Sequence, residues 1–537
     1  MTVFRRLLLT QLRRERIVLP LWLGGITLVA SGAASAVTTQ FGSEAERTAI
    51  VEIAVVNPAF LFMRGAPDGI SAGALTSFQA FSFMAVAAAL LSMFLVTRHT
   101  RAVEEDGRAE LELATPVRRS APLLSTLTLA LAANVVLAAL VAGALVGVGL
   151  PATGSTVFGL AIAAVGVFFA ALTALIAQLA STGRAVNGVV GAAIAVAFTL
   201  RGMGDALGTA DVAALRVDPH PIGLLSPIGL AASARPFTEL NALPLVAPVA
   251  LALLIAAVAL SVRERRGLGA GLLEQGRGPA HLAGLRGPLG LAARQSRTAV
   301  IAWALGAAAL GVLGAALSPL VASVVSESDS LAELVEALLP GTSTDSSTVF
   351  VSGLLGITGM LAACAAAQAM LRMRADESSG RSELLLSTPL TRSRLLLSQS
   401  AVAAGAVIII TGAVGIAVWI TAIATDAPGD ADLAVAGLAH APAAAVFIAL
   451  PALLIALVPR IAVGATWLLL AVSVVIGQLG EMLELPDAIR VLSPFSHVSA
   501  VPVEEVDGAE VALLLGIAVV AVGLAAVLAR RRELVAG

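Results

Sequence analysis

Twelve apolar runs of about twenty residues each, separated by short polar stretches, decide what this chain can become. A run of that length spans the hydrocarbon core of a bilayer as a helix. Within lipid, a helix satisfies its backbone donors and acceptors inside the segment, which an open strand cannot do. The runs lie near 17–37, 75–97, 122–149, 157–180, 186–204 and 245–262, then near 298–321, 349–371, 399–424, 434–458, 461–480 and 510–529. Only 13% of the 537 residues are charged and the mean hydropathy is +0.95, whereas soluble domains carry about a quarter charged residues. A soluble enzyme is excluded, and the expected fold is an all-α membrane protein with twelve transmembrane helices.

The arginines orient these spans. With the N-terminus inside, the inner segments hold 27 arginines and the outer loops six (47, 64, 201, 216, 235 and 490), while 23 of the 35 acidic residues fall outside. Basic residues in short loops stay on the cytoplasmic side, so both termini are expected to face the cytoplasm. The first 36 residues, ending in Ala34-Ser35-Ala36, mimic a cleavable signal peptide. Because the same pattern recurs in mid-chain, it reads as an uncleaved first helix. A composition rich in Ala, Gly and Val suggests a GC-rich bacterial genome, and hence a multi-pass protein of the bacterial plasma membrane.

The two sets of six spans are copies. Residues 104–124 (EEDGRAELELATPVRRSAPLL) and 377–397 (ESSGRSELLLSTPLTRSRLLL) share Glu104/Glu377, Gly107/Gly380, Arg108/Arg381, Glu110/Glu383 and Thr115-Pro116/Thr388-Pro389 at a fixed offset of 273. Arg13, Arg16 and Trp22 match Arg294, Arg297 and Trp303, and Leu225-Ser226-Pro227 matches Leu492-Ser493-Pro494. Six is even, so the copies run in the same sense and form two parallel six-helix repeats. The expected organisation is a first half over 1–263, a Gly- and Pro-rich cytoplasmic linker over 264–292 and a second half over 293–537. An interfacial helix is expected over 1–16, with a weaker second copy at 286–297.

Several chemistries are absent by composition. Every basic residue other than histidine is Arg, so no phosphate-binding P-loop with its lysine and no Schiff-base lysine can exist. Cys364 is the only cysteine, which rules out a disulfide within the chain, and the five histidines (99, 220, 281, 440 and 497) show no metal-ligand spacing. No catalytic residue, metal or nucleic-acid partner is expected.

The polar segment after the second span of each half carries the strongest signal. Its core, G-R-x-E-L-x-L-x-T-P, combines a glycine that permits a turn, a short run with leucines on adjacent turns, and a proline that ends it. Arg108 and Glu110, like Arg381 and Glu383, are two apart and so do not face each other on a helix. A single copy could be an ordinary solvated loop. Two copies at one topological position, each with both signs of charge, fit better as surfaces that dock the same kind of partner twice.

Six helices, this turn after the second and an L-S-P loop after the fifth resemble the ABC-2-type exporter permeases. The fused twelve-helix form resembles the actinobacterial permeases of the tetronasin or polyketide-antibiotic exporter type, with a type V exporter-like fold. The resemblance implies that 104–116 and 377–389 are coupling turns seated on two copies of a separate ABC-type ATPase, which would bind the ATP and Mg. The coupling positions would be Glu104, Gly107, Arg108, Glu110, Thr115 and Pro116, with Glu377, Gly380, Arg381, Glu383, Thr388 and Pro389. It also implies an elbow helix at 1–16 and re-entrant helices in 205–243 and 481–509. The turns depart from symmetry at Glu105-Asp106 and Glu112, whose counterparts are Ser378-Ser379 and Leu385.

The implied activity is ATP-driven export of hydrophobic drug-like or polyketide-like compounds by alternating access. By the same resemblance the second and fifth helices of each half line the cavity, so Phe78, Gln79, Phe81, Phe83 and Met84 are candidates for the substrate pathway. The rival is an ion-coupled carrier, which needs ionisable groups at membrane depth. Here Arg201 and Glu481 sit at span ends and His440 near the outer face of its span. A third alternative is a non-transporting signal or mechanotransmission subunit coupled to the same ATPase.

Overall fold

The computed structural model describes residues 2–55, 58–113, 118–211, 213–267, 287–326, 346–425, 431–479 and 486–530. The chain forms two compact units, Met1–Gly278 and Pro279–Gly537. In the first, α1 (Thr2–Arg14) precedes the spans α2 (Val18–Gln40), α5 (Ala72–His99), α8 (Ala121–Gly147), α9 (Ala152–Leu179), α10 (Gly183–Ala206) and α12 (Val246–Arg265). Shorter helices fill the connections: α3 (Glu44–Val55), α4 (Pro58–Arg64), α6 (Arg101–Glu105), α7 (Arg108–Leu113) and α11 (Pro227–Ala232). A two-stranded antiparallel hairpin, Thr209–Asp211 with Arg216–Asp218, precedes α11.

The second unit contains α13 (Gly287–Ser326), α14 (Ser346–Ser378), α15 (Arg381–Leu386), α16 (Arg392–Ala424) and α17 (Asp432–Ala436). It continues with α18 (Ala441–Leu457), α19 (Ala462–Leu479), α20 (Asp487–Arg490) and α21 (Gly508–Leu528). Among the described residues eleven helices are long and apolar enough to cross a membrane. The twelfth expected span falls on α19, whose apolar part, Ala462–Gly477, reaches only about 24 Å at 1.5 Å per residue.

Each unit repeats one packing pattern. The first span lies on the third (α2 on α8; α13 on α16), the second on the fourth (α5 on α9; α14 on α18), and the fourth on the sixth (α9 on α12; α18 on α21). Side-chain size, more than polarity, sorts inside from outside. Ala85, Ala88, Ala161, Ala170 and Ala174 are buried in the first core, while Leu251, Leu253 and Leu254 point outward. Small residues let helix backbones approach closely, as packing in lipid requires. At Gly159 a Cβ would stand 2.4 Å from the Ala138 carbonyl oxygen, so the contact of α9 with α8 admits no side chain there.

The two halves differ at their first span. A turn at Glu15–Ile17 separates α1 from α2, and Pro20, which lacks the N–H that would bond back to residue 16, stands just beyond it. Its counterpart in the second half is Ile301, and α13 runs unbroken from Gly287 to Ser326. Of the expected second elbow at 286–297, the described part, 287–297, is the start of a continuous helix. Gln11 holds α1 against α8, donating through Nε2 to Thr126 Oγ1 at 3.0 Å and accepting at Oε1 from Ser125 Oγ at 2.9 Å.

Candidate functional site

At the Arg-rich end of each unit the second span passes into a short helix through a left-handed glycine. Gly107 (φ +71°) opens α7 and Gly380 (φ +73°) caps α15. No heavy atom lies within 4 Å of a Cβ built at either position, so backbone conformation alone demands glycine. The exposed faces carry Arg108 and Glu110 in one unit and Arg381, Glu383 and Leu384 in the other, Leu384 being 75% exposed. Arg108 pairs with Asp106, and Arg381 Nη2 lies 3.1 Å from Asp376 Oδ1. Thr388 and Pro389 are exposed, with Thr388 Oγ1 donating to the Leu385 carbonyl at 2.5 Å. Thr115 and Pro116 lie outside the described residues.

Glu104 and Glu377 turn the other way. The Glu104 carboxylate accepts from Arg101 Nη1 at 2.9 Å and Arg263 Nη1 at 2.7 Å, and it also pairs with Arg266. Burial, partly offset by Glu104, lowers the Arg266 guanidinium below its usual pKa. Glu377 is buried with Arg374 Nη1 3.6 Å from its Oε2. These two positions bind the turns to their own units, whereas Arg108, Glu110, Arg381 and Glu383 are presented outward.

The arginines that hold them escaped the sequence reading, although Arg101 and Arg374 obey the same offset of 273. Arg101 Nε donates to the Ala177 carbonyl at 2.6 Å, and Arg374 Nε donates to the Pro459 carbonyl at 3.0 Å. Both acceptors lie at the C-terminal end of the fourth span of their half, where carbonyls lack helical partners and a cation is favoured. Ser120 and Ser393, also 273 apart, each bond to the last span of their half: Ser120 Oγ to Glu264 Oε1 at 2.7 Å, and Ser393 Oγ to the Ala526 carbonyl at 2.6 Å. The asymmetric Glu105 accepts from the Gly183 amide at 3.0 Å, while its counterpart Ser378 donates within its own helix to the Ala375 carbonyl at 3.0 Å.

A cluster beside the first turn fastens α1. Glu15 Oε1 accepts from His99 Nε2 at 2.9 Å, and both its oxygens accept from Arg98 Nη1 at 3.0 Å. Burial opposes the charge on Glu15, but the bonds and charges of His99 and Arg98 outweigh it and hold its pKa below the ordinary value. In the second half Arg372, the counterpart of His99, donates through Nη1 to the Gln295 carbonyl at 2.6 Å.

At the other end of the spans the L-S-P segments reveal their use. Ser226 Oγ donates to the Ala197 carbonyl at 2.7 Å and accepts from the amides of Ile228 and Gly229. Ser493 Oγ donates to the Ser473 carbonyl, also at 2.7 Å, and accepts from the Phe495 amide. Each serine thus ties a short helix to the fifth span of its half and caps that helix. In the first unit α11 is packed inward, with Ile228 and Ala231 fully buried.

Under this cap the first unit encloses a cavity of about 280 Å³ that includes Phe78, Phe81, Arg64, Arg201 and Phe237 in its lining. The candidate pathway residues divide. Phe78 and Phe81 line the cavity, and Phe81 meets Phe158 edge-on at 5.6 Å. Met84 is buried in the helical core, Gln79 is half-buried away from the cavity, and Phe83 faces outward. Asp205, just past the expected span 186–204, occupies the last turns of α10 and pairs with the buried Arg201 at 3.0 Å. The spans are therefore less empty of ionisable groups than hydropathy implies.

A duplicated, multi-span, largely helical architecture, with a turn at one end of each unit and a capped span at its other end, fits a membrane permease. The chain belongs to the family of multidrug efflux system permeases. A multidrug efflux system permease protein of Mycobacterium tuberculosis, Rv1217c, is 30% identical over 536 residues, spanning 98% of this chain and 94% of that protein. The family profile described as multidrug efflux system permease Rv1217c, C-terminal domain, matches residues 285–530.

Proposed function

We propose that this chain is the permease subunit of an ATP-driven exporter, carrying hydrophobic drug-like or polyketide-like compounds out of a bacterial cell. It sits in the plasma membrane with both termini in the cytoplasm, the orientation favoured by the 27-to-6 division of arginines. Two copies of an ABC-type ATPase, which bind the ATP and Mg, dock on the turns at 104–116 and 377–389. The observation that carries this reading is the pair of matched, exposed helices α7 and α15, each set off by a left-handed glycine and anchored from behind by an Arg–Glu pair. Such a helix offers charges of both signs outward while the arginine at its root ties the second span to the end of the fourth in each unit.

The work is done by alternating access. ATP closes the partner dimer, the two turns move with it, and closure must favour the outward state for net transport to occur. Within this scheme Glu104 and Glu377 transmit force, whereas Arg108, Glu110, Arg381 and Glu383 make contact with the ATPase. The rival ion-coupled reading draws support from Asp205, whose carboxylate pairs with Arg201 at 3.0 Å within the fifth span.

The test is purification in mild detergent, with partners identified by mass spectrometry. An ABC-type ATPase at about two copies per chain is expected, and it should be lost on reversing Glu110 and Glu383 together while the permease remains inserted. Recovery of the chain alone from the native host, with transport that collapses on adding an uncoupler, would overturn the reading in favour of the ion-coupled carrier.

A further inference from the structure

The cavity beneath α11 contains a charge arrangement that the transport scheme does not use. Arg201 lies 18 residues along α10 from Gly183, about 27 Å from the turn-bearing end, so this cavity is far from the coupling surface. Its carboxylates are all engaged. Asp205 pairs with Arg201 at 3.0 Å, Asp218 with Arg235 at 2.7 Å, and Asp68 with Arg235 at 3.6 Å and with Thr238.

The guanidiniums are not matched in the same way. Arg64 lines the cavity and stacks over the Phe60 ring at 5.7 Å, yet no carboxylate among the described residues lies within ion-pairing distance of it. Burial pulls its pKa below the ordinary arginine value. Arg201, whose side chain is 1% exposed, leaves Nε without a hydrogen-bond partner among the described residues, and Ser77 Oγ on the same wall is likewise unpartnered. Phe78, Phe81 and Phe237 supply an apolar wall. A half-buried guanidinium without a carboxylate beside it, set against an aromatic wall, suits a molecule with one anionic group and an apolar body.

We propose that this cavity is a binding site for amphipathic organic carboxylates, with the carboxylate held by Arg64 and the apolar body against Phe78, Phe81 and Phe237. A cation is disfavoured because every lining carboxylate already has a guanidinium. A neutral molecule leaves the Arg64 charge uncompensated. The inference does not depend on ATP coupling.

The probe is radiolabelled decanoate bound to the full chain in nanodiscs, displaced by unlabelled decanoate, decanol or decylammonium. Decanoate should displace saturably, with decanol and decylammonium at least tenfold weaker. Arg64→Gln should weaken decanoate binding at least tenfold, whereas Arg64→Lys should keep the preference for the anion. Equal displacement by decanol or decylammonium, or unchanged binding in a correctly inserted Arg64→Gln chain, would overturn the proposal.

Organic extraction of the purified chain then separates two sources of such a ligand. A co-purifying fatty carboxylate identifies a resident lipid. An empty extract with the same displacement order identifies a compound in transit, and either result supports the site. Because binding is read on the chain alone, a negative result leaves the ATPase partnership standing, and loss of that partnership leaves the displacement order unchanged.

Discussion

The Ser226 hydroxyl donates to the Ala197 carbonyl across 2.7 Å, joining the cap helix α11 to the fifth span of the first half. The same bond, at the same length, joins Ser493 to Ser473 in the second half. A three-residue motif thus performs one task twice, closing a short helix onto a long one at the end opposite the turns.

Ser226→Ala should destabilise the protein by about 1–2 kcal/mol, the cost of a lost cap together with a buried bond. Ser493→Ala should do the same. Thermal unfolding in mild detergent measures both, and an unchanged midpoint for either serine would refute its structural role.

Two glutamates six residues apart should behave differently. Glu104→Ala removes the carboxylate shared by three inward-facing guanidiniums and should cost about 3–5 kcal/mol, as when one partner of a buried pair is removed. Glu110→Ala, on the exposed face, should stay within about 0.5 kcal/mol of the parent in the isolated chain. Its effect should appear in recovery of the ATPase. Equal stability losses would mean that the inward and outward assignments are mistaken.

The Glu15 cluster predicts a pH dependence. Its folded pKa lies below the ordinary 4.5, so the stabilisation from ionised Glu15 is complete above that ordinary value and is lost as pH falls through the lowered one. The gap in thermal midpoint between the parent and Glu15→Gln should therefore be largest near neutrality and shrink in acid. A gap that widens below pH 4.5 would contradict the assignment.

Gly107→Ala and Gly380→Ala should each cost about 1–2 kcal/mol, because an L-residue is strained in the left-handed region. The strain is local, so amide exchange should quicken over 108–113 or 381–386 before it changes elsewhere. Exchange unchanged in those helices would show that the turns adapt without glycine.

Hydropathy located the spans, although helices such as α13 begin well before the apolar run near 298, and the 273-residue offset located both turns, because apolar length and repetition are properties of the sequence itself. Which charge in a turn faces inward was not legible. The partners that draw Glu104 inward, Arg263 and Arg266, lie some 160 residues away. Asp205 falls just past the apolar run 186–204 in the sequence, whereas in the fold it lies on α10, one turn after the arginine that pairs with it. The continuity of α13 was readable from Ile301 standing where Pro20 stands in the first copy, but the expected symmetry concealed it.

That difference between Pro20 and Ile301 makes the two halves mechanically unlike. Forty helical residues extend about 60 Å, twice the thickness of a hydrocarbon core. Arg294 therefore stands on the same continuous helix as the span it precedes. In the first half the turn at Glu15–Ile17 interrupts that continuity, so α1 can rotate against α2 where the second half has no such joint.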